Sequence, residues 1–212
     1  EGRPLFLPRH VKTLSFNLGT DSPGEKELYN DLSRYVNTQY NKALTKDKRR
    51  NVAFALVILQ RRLASSTFAL FRSLERRRKR LTDLLKGVQE KGKPAEETFD
   101  FDAVEDLSEE ERWKEEELWE TLSVAENRED LEAEIATIDE LIAQAKRIIQ
   151  GEEEVKLKDL KTSLGELSRR FPDPKDKKIL IFTESRDTLE YLEKKIRLQP
   201  CGGGHPGGKG PP

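Results

Sequence analysis

The chain has 212 residues, enough for one or two domains, yet 37% of them are charged against roughly 25% in an average globular domain, which implies a thin core and much solvated surface. Its 39 basic and 40 acidic residues nearly cancel, so only local clusters of charge bear on nucleic acid. The longest apolar run, 52–59, is far short of the roughly 20 residues of a membrane-spanning helix, and the single cysteine, Cys201, rules out an internal disulfide; both point to a cytoplasmic chain with no membrane partner.

Glu1-Gly2-Arg3-Pro4 carries neither an initiator Met nor a signal sequence and reads as an internal position. Residues 11–18 place Leu14, Phe16 and Leu18 at period two, the pattern of a half-buried strand. Ser22 and Glu25 have capping-box spacing with Pro23 at the first helical position, which predicts a helix to about residue 44 with Leu28, Leu32, Tyr35 or Val36, and Tyr40 on its apolar face. A second helix is predicted over 51–63, where the run from Ala53 to Leu59 is apolar on every side and belongs inside a packed layer. Ala64-Ser65-Ser66-Thr67 breaks it. A third helix, 68–89, carries Leu70, Leu74, Leu81, Leu85 and Val88, with a missing apolar step at Arg77 or Arg78 inside the run Arg76-Arg77-Arg78-Lys79-Arg80.

Residues 91–107 form an acidic connector anchored only by Phe99 and Phe101. Ser108 and Glu111 make a second capping box, opening a helix with Trp113, Leu118, Trp119 and Leu122. Leu131, Ile135, Ile138, Ile142, Ala145 and Ile149 then trace a heptad seam that Gly151 ends, and Leu157, Leu160, Leu164 and Leu167 mark a further helix stopped by Phe171-Pro172-Asp173-Pro174. Ile179, Leu180, Ile181 and Phe182 read as a buried parallel strand, Thr183-Glu184-Ser185 as a capping turn, and Leu189, Leu192 and Ile196 as the apolar stripe of the helix behind it. One βα unit cannot make a sheet, so the chain reads as a piece of something larger. The expected fold is mainly α, with one strand near the N-terminus and one βα unit near the C-terminus. Its regions are 1–20, a helical part 21–90, the linker 91–107, a hairpin or coiled-coil-like part 108–171, the βα unit 175–198 and a Gly/Pro tail 199–212.

No phosphate loop occurs: Gly92-Lys93-Pro94 and Gly208-Lys209-Gly210 lack the upstream glycine spacing and the hydroxyl. Asp139-Glu140 lies within the heptad helix, where surface charge is the better reading. His10, Cys201 and His205 are too few for a zinc site, and no catalytic or metal-binding residue is assigned. The basic residues say more. Arg72, Arg76, Lys79 and Arg80 share a helix face and, with Arg61 and Arg62, could neutralise phosphates, whereas Arg77 and Arg78 are assigned to internal countercharge from the acidic stretch between Glu96 and Glu111.

Three segments together resemble the Swi/Snf-like branch of superfamily-two helicases, of bacterial or archaeal type. They are Leu7-Pro8-Arg9 with Val11-Lys12-Thr13-Leu14-Ser15-Phe16-Asn17-Leu18 and Glu27-Leu28-Tyr29; Phe54-Ala55-Leu56-Val57-Ile58-Leu59-Gln60-Arg61-Arg62-Leu63-Ala64-Ser65-Ser66; and Lys178-Ile179-Leu180-Ile181-Phe182-Thr183-Glu184-Ser185-Arg186-Asp187-Thr188-Leu189-Glu190-Tyr191-Leu192. The resemblance implies the exit strand of a first RecA-like lobe, a helical inter-lobe insertion and the first strand and helix of a second RecA-like lobe, in a fragment of an α/β protein. It implies a parent that is an ATP-dependent translocase on double-stranded DNA, with ATP and Mg bound between lobes by motifs outside this chain, which alone would be inactive. It makes Thr183 and Arg186 candidates for DNA-backbone contact beside Arg61, Arg62, Arg72 and Arg76. The alternative is an independent helical interaction module without enzymatic activity that uses the 131–149 seam. That seam lasts under three heptads, and an antiparallel pairing with residues 81–88 accounts for it more simply.

Overall fold

The computed structural model describes residues 11, 13–44, 49–91, 108, 110–111, 113–114, 117, 123, 125, 127–170 and 179–197. Their regular structure is helical: α1 Leu18–Asp21, α2 Pro23–Leu44, α3 Arg49–Ser65, α4 Thr67–Lys91, α5 Arg128–Gly151, α6 Val155–Arg170 and α7 Arg186–Arg197, with further helical residues at Glu110, Glu111, Trp113, Lys114 and Glu117. The linker beyond Lys91, the stop at Phe171 to Pro174, the tail from 199, and Leu118, Trp119 and Leu122 lie outside the described residues.

α2, α3, α4 and α5 close a ring, each packed on two of the others. Leu28, Leu32, Leu59, Leu70, Leu74 and Ile138 are among the side chains that meet inside it. Burying each such side chain contributes about 1.5–3 kcal/mol, which is how a highly charged chain sustains a core. The heptad seam of α5 faces inward from Leu131 to Ala145, as its spacing predicts, but its last buried residue is Ile148 rather than Ile149. Lys146 lies over Phe71, Asp139 pairs with Arg78, and Glu134 pairs with Arg77, so α5 runs antiparallel to α4. Tyr35 meets Glu134 and Asp31 meets Gln144, which sets α5 antiparallel to α2 as well. α7 packs on the outside of α4.

Several elements differ from their predicted form. No strand occurs among the described residues: residues 13–17 are irregular and Leu18 opens α1, capped by the Asn17 side chain at 2.9 Å from Gly19 N–H. Residues 179–183 are likewise irregular, with Leu180 81% and Phe182 88% exposed. A strand needs a neighbour to satisfy its backbone, and no described segment supplies one there. α3 is not apolar all round where it is described, because Val57 is 49% exposed while Leu56, Ile58 and Leu59 are buried. Gly151 is the last helical residue rather than the terminator. Glu152 takes the left-handed conformation at φ 50°, and Glu153 N–H to Ile148 C=O at 3.1 Å with Glu152 N–H to Ile149 C=O at 3.3 Å completes a Schellman motif. The box at Ser108 and Glu111 forms as predicted, Ser108 N–H donating to the Glu111 carboxylate at 3.0 Å. At α2, by contrast, Glu25 accepts Val155 N–H at 2.8 Å and so caps α6.

Candidate functional site

The elbow between α3 and α4 is made by one residue. Ser66 N–H donates to Arg62 C=O at 2.9 Å, ending α3, while Ser66 Oγ accepts Ala69 N–H at 3.0 Å, starting α4. Against this elbow lies the turn 183–185 with the first turns of α7. Ser65 Oγ and Ser66 Oγ each lie 2.8 Å from Thr188 Oγ1, and Ser65 Oγ lies 3.4 Å from Thr183 Oγ1. Arg62, buried, donates from Nη1 to Ser185 Oγ at 3.0 Å, and Arg61 pairs with Glu184. More than two turns along α4, Arg76 holds Asp187 through two contacts at 2.9 and 3.4 Å. Phe68 and Tyr191 stack with centroids 4.6 Å apart and planes at 6°. A small cavity lined by Ile58, Arg61, Arg62, Ser65, Glu184 and Ser185 opens beside the hydroxyl cluster.

The six sequence-predicted contact residues therefore divide. Arg61, Arg62 and Thr183 come together at the elbow, and Arg76 joins the same surface through Asp187. Arg72 and Arg186 pair within their own helices, with Glu75 at 3.0 Å and Glu190 at 3.1 Å, and both stay exposed. Sequence reasoning missed Ser185, Asp187, Thr188 and Tyr191 as partners, and took Ser65 and Ser66 only as a helix break. No local period links residues about 120 positions apart; the one available signal was that both segments belonged to the same resemblance.

A second polar cluster sits inside the ring. Arg77 is fully buried, its Nη2 2.8 Å from Glu134 Oε1 and its Nε 2.6 Å from Tyr35 Oη. Tyr35 donates to Glu134 at 2.7 Å, and Ser123 donates to the other Glu134 oxygen at 2.6 Å. Burial pushes the Tyr35 hydroxyl well up, and Glu134 adds to this against the opposing pull of Arg77. Burial would lower the Arg77 pKa, but Tyr35 and Glu134 outweigh it and hold the guanidinium charged. Arg77 thus fills the missing apolar step of α4. Glu134 on α5 supplies it with countercharge, Arg78 takes Asp139 at 2.5 Å, and the acidic stretch near residue 100 lies outside the described residues.

These groups hold helices together. Among the described residues no three His, Cys, Asp or Glu side chains gather as a metal site would require, and no helix is long and apolar enough to cross a membrane. His10, Cys201 and His205 lie outside the described residues. No protein-family model, no curated protein and no solved structure matches this chain.

Proposed function

We propose that this chain is the inter-lobe region of a Swi/Snf-like superfamily-two DNA translocase, in which the α3–α4 elbow couples the start of a second RecA-like lobe to the helices that follow the first. The observation that supports this reading is the docking of the 183–191 segment on the 61–68 elbow. Two stretches that carry the resemblance separately, 54–66 and 178–192, share one hydroxyl cluster and two arginine contacts, and Phe68, just beyond the first, stacks on Tyr191 of the second. A displacement of the second lobe would reach the helical ring through Thr188, Ser185, Asp187 and Tyr191. The exposed Ile179, Leu180 and Phe182 suit a strand that takes its parallel neighbours from the rest of the α/β parent.

In this reading Arg61, Arg72 and Arg186 are the phosphate contacts. Each is exposed and held by a single-helix or surface carboxylate pair worth at most about 1 kcal/mol, which a phosphate can displace. Arg62, Arg76 and Thr183 position the docked segment. ATP and Mg enter only through the resemblance. The sequence has no phosphate loop and the described carboxylates form no ion site, so this chain's residues do not fit the nucleotide.

Fluorescence anisotropy on a labelled duplex tests the DNA contact. Binding is expected to weaken steeply with salt, and Arg61→Glu/Arg72→Glu/Arg186→Glu is expected to lower the magnitude of the salt slope by about one per lost contact and the affinity at least tenfold. Equal binding by the triple variant and the native chain would remove these arginines from the interface.

A further inference from the structure

The N-termini of α2, α4 and α6 converge on three glutamates in crossed arrangement. Glu25, in the first turn of α2, accepts Val155 N–H at the start of α6 at 2.8 Å. Glu154, just before α6, accepts Thr67 N–H at the start of α4 at 3.1 Å. Glu153 lies beside Gly24 at the start of α2. Carboxylates at helix N-termini are favoured by the unpaired N–H groups and the helix dipole, yet Glu25 and Glu154 are both buried and repel one another. Glu154 Oε2 is buried without a hydrogen-bond partner, and so is the Tyr191 hydroxyl of α7, whose ionisation is held off by burial, then by Glu154 and Glu152.

We propose that Glu154 is a protonation-controlled latch that sets how tightly α7 docks on α4. Neutral, it keeps the Thr67 cap through one oxygen, and protonation removes the buried charge that Oε2, with no hydrogen bond to accept, leaves uncompensated. Ionised, it places a second buried negative charge against Glu25 and beneath Tyr191. α7 is the element that yields, because it packs on α4 from outside the ring and is held there by the Thr188 contacts to Ser65 and Ser66, the Phe68–Tyr191 stack, the Arg76–Asp187 pair and Lys195 on Glu152. The groups that face Glu154 account for the balance. Burial raises its pKa, Thr67 N–H lowers it, Glu25 raises it and Lys156 lowers it, to a value of about 7. Lys156 is itself engaged by Ala64 C=O, and Lys195 by Glu152, so neither neutralises Glu154 directly. The latch is independent of whether the chain contacts DNA.

A carboxyl raised from 4.5 to about 7 in the folded state gives stability that is fully present below the lower value and lost as pH rises through the upper one. Hydrogen exchange along α7, corrected for intrinsic rate, is therefore expected to speed up about tenfold or more between about pH 5.5 and about pH 8.5, while α5 changes little. Glu154→Gln, which mimics the neutral acid, is expected to flatten that profile. The Glu154 side-chain carboxyl carbon, followed by NMR in the unaltered chain, is expected to titrate near 7 and needs no variant to fold. A midpoint in the ordinary range near about 4.3 overturns the latch, as does α7 exchange that is flat with pH, that keeps its pH dependence in Glu154→Gln, or that rises equally in every helix.

Discussion

Arg77 occupies the position at which the stripe Leu70, Leu74, Leu81 would otherwise hold a leucine, and it is as completely buried as those neighbours. A buried ion pair gains little net energy over an apolar pair, because desolvation of both charges offsets their attraction, but removing one partner strands the other. Arg77→Met is therefore expected to lose about 3–5 kcal/mol in urea unfolding, and adding Glu134→Leu is expected to recover most of it. A single-variant loss below about 1 kcal/mol would show that the charge is not confined as the geometry implies. The sequence displayed the gap, since one of Arg77 and Arg78 had to stand where the apolar series failed. It did not display the partner: Glu134 lies 57 residues away, at a position the heptad series skips. Helix pairing, not sequence distance, brings the Glu134 carboxylate to the buried guanidinium.

Among the elements, α7 shows how a helix with two usable faces is settled by its neighbour. Leu189, Leu192 and Ile196 form one stripe, and Thr188, Tyr191 and Lys195 form another. Hydropathy favours the first, but the structure buries Thr188 and Tyr191 and leaves Leu189 48% exposed. The hydroxyls of Ser65 and Ser66 and the ring of Phe68 select the second stripe, and nothing local to α7 announces them. The helices of the ring were legible for the opposite reason: each has a single apolar face, so α2, α4 and α5 begin and end within a few residues of their predicted bounds. Tyr191→Ala removes the stack and opens a space beside Phe68. Trypsin is expected to cut within α7, at Arg186, Lys194 or Lys195, at least about tenfold faster in this variant, with the midpoint of global unfolding moved little, because α7 opens without the ring. An unchanged cleavage rate would mean that the Thr188 hydroxyl contacts and the Arg76–Asp187 and Lys195–Glu152 pairs hold the helix without the stack.

For the whole molecule, closure of the four-helix ring determines which apolar surface remains for other chains. The inward seam of α5, the basis of the reading as an independent interaction module, is filled by α2 and α4 of the same chain. The apolar surface still exposed includes Ile179, Leu180, Phe182 and Leu189, at the segment whose residues 179–182 read as a strand in the sequence and are irregular in the structure. Association of the chain in solution should then run through that segment. Leu180→Lys/Phe182→Lys is expected to shift sedimentation toward monomer while changing the unfolding midpoint by no more than a typical surface substitution, about 0.5 kcal/mol. Ile138→Lys places an unpaired charge inside the ring and is expected to unfold the chain rather than yield a folded monomer. The interaction module makes the reverse demand: a seam offered to partners would tolerate the lysine at Ile138 and lose its association there. The pair of variants thus separates a ring that is complete in itself, with docking confined to its edge, from a bundle whose seam is opened to another chain.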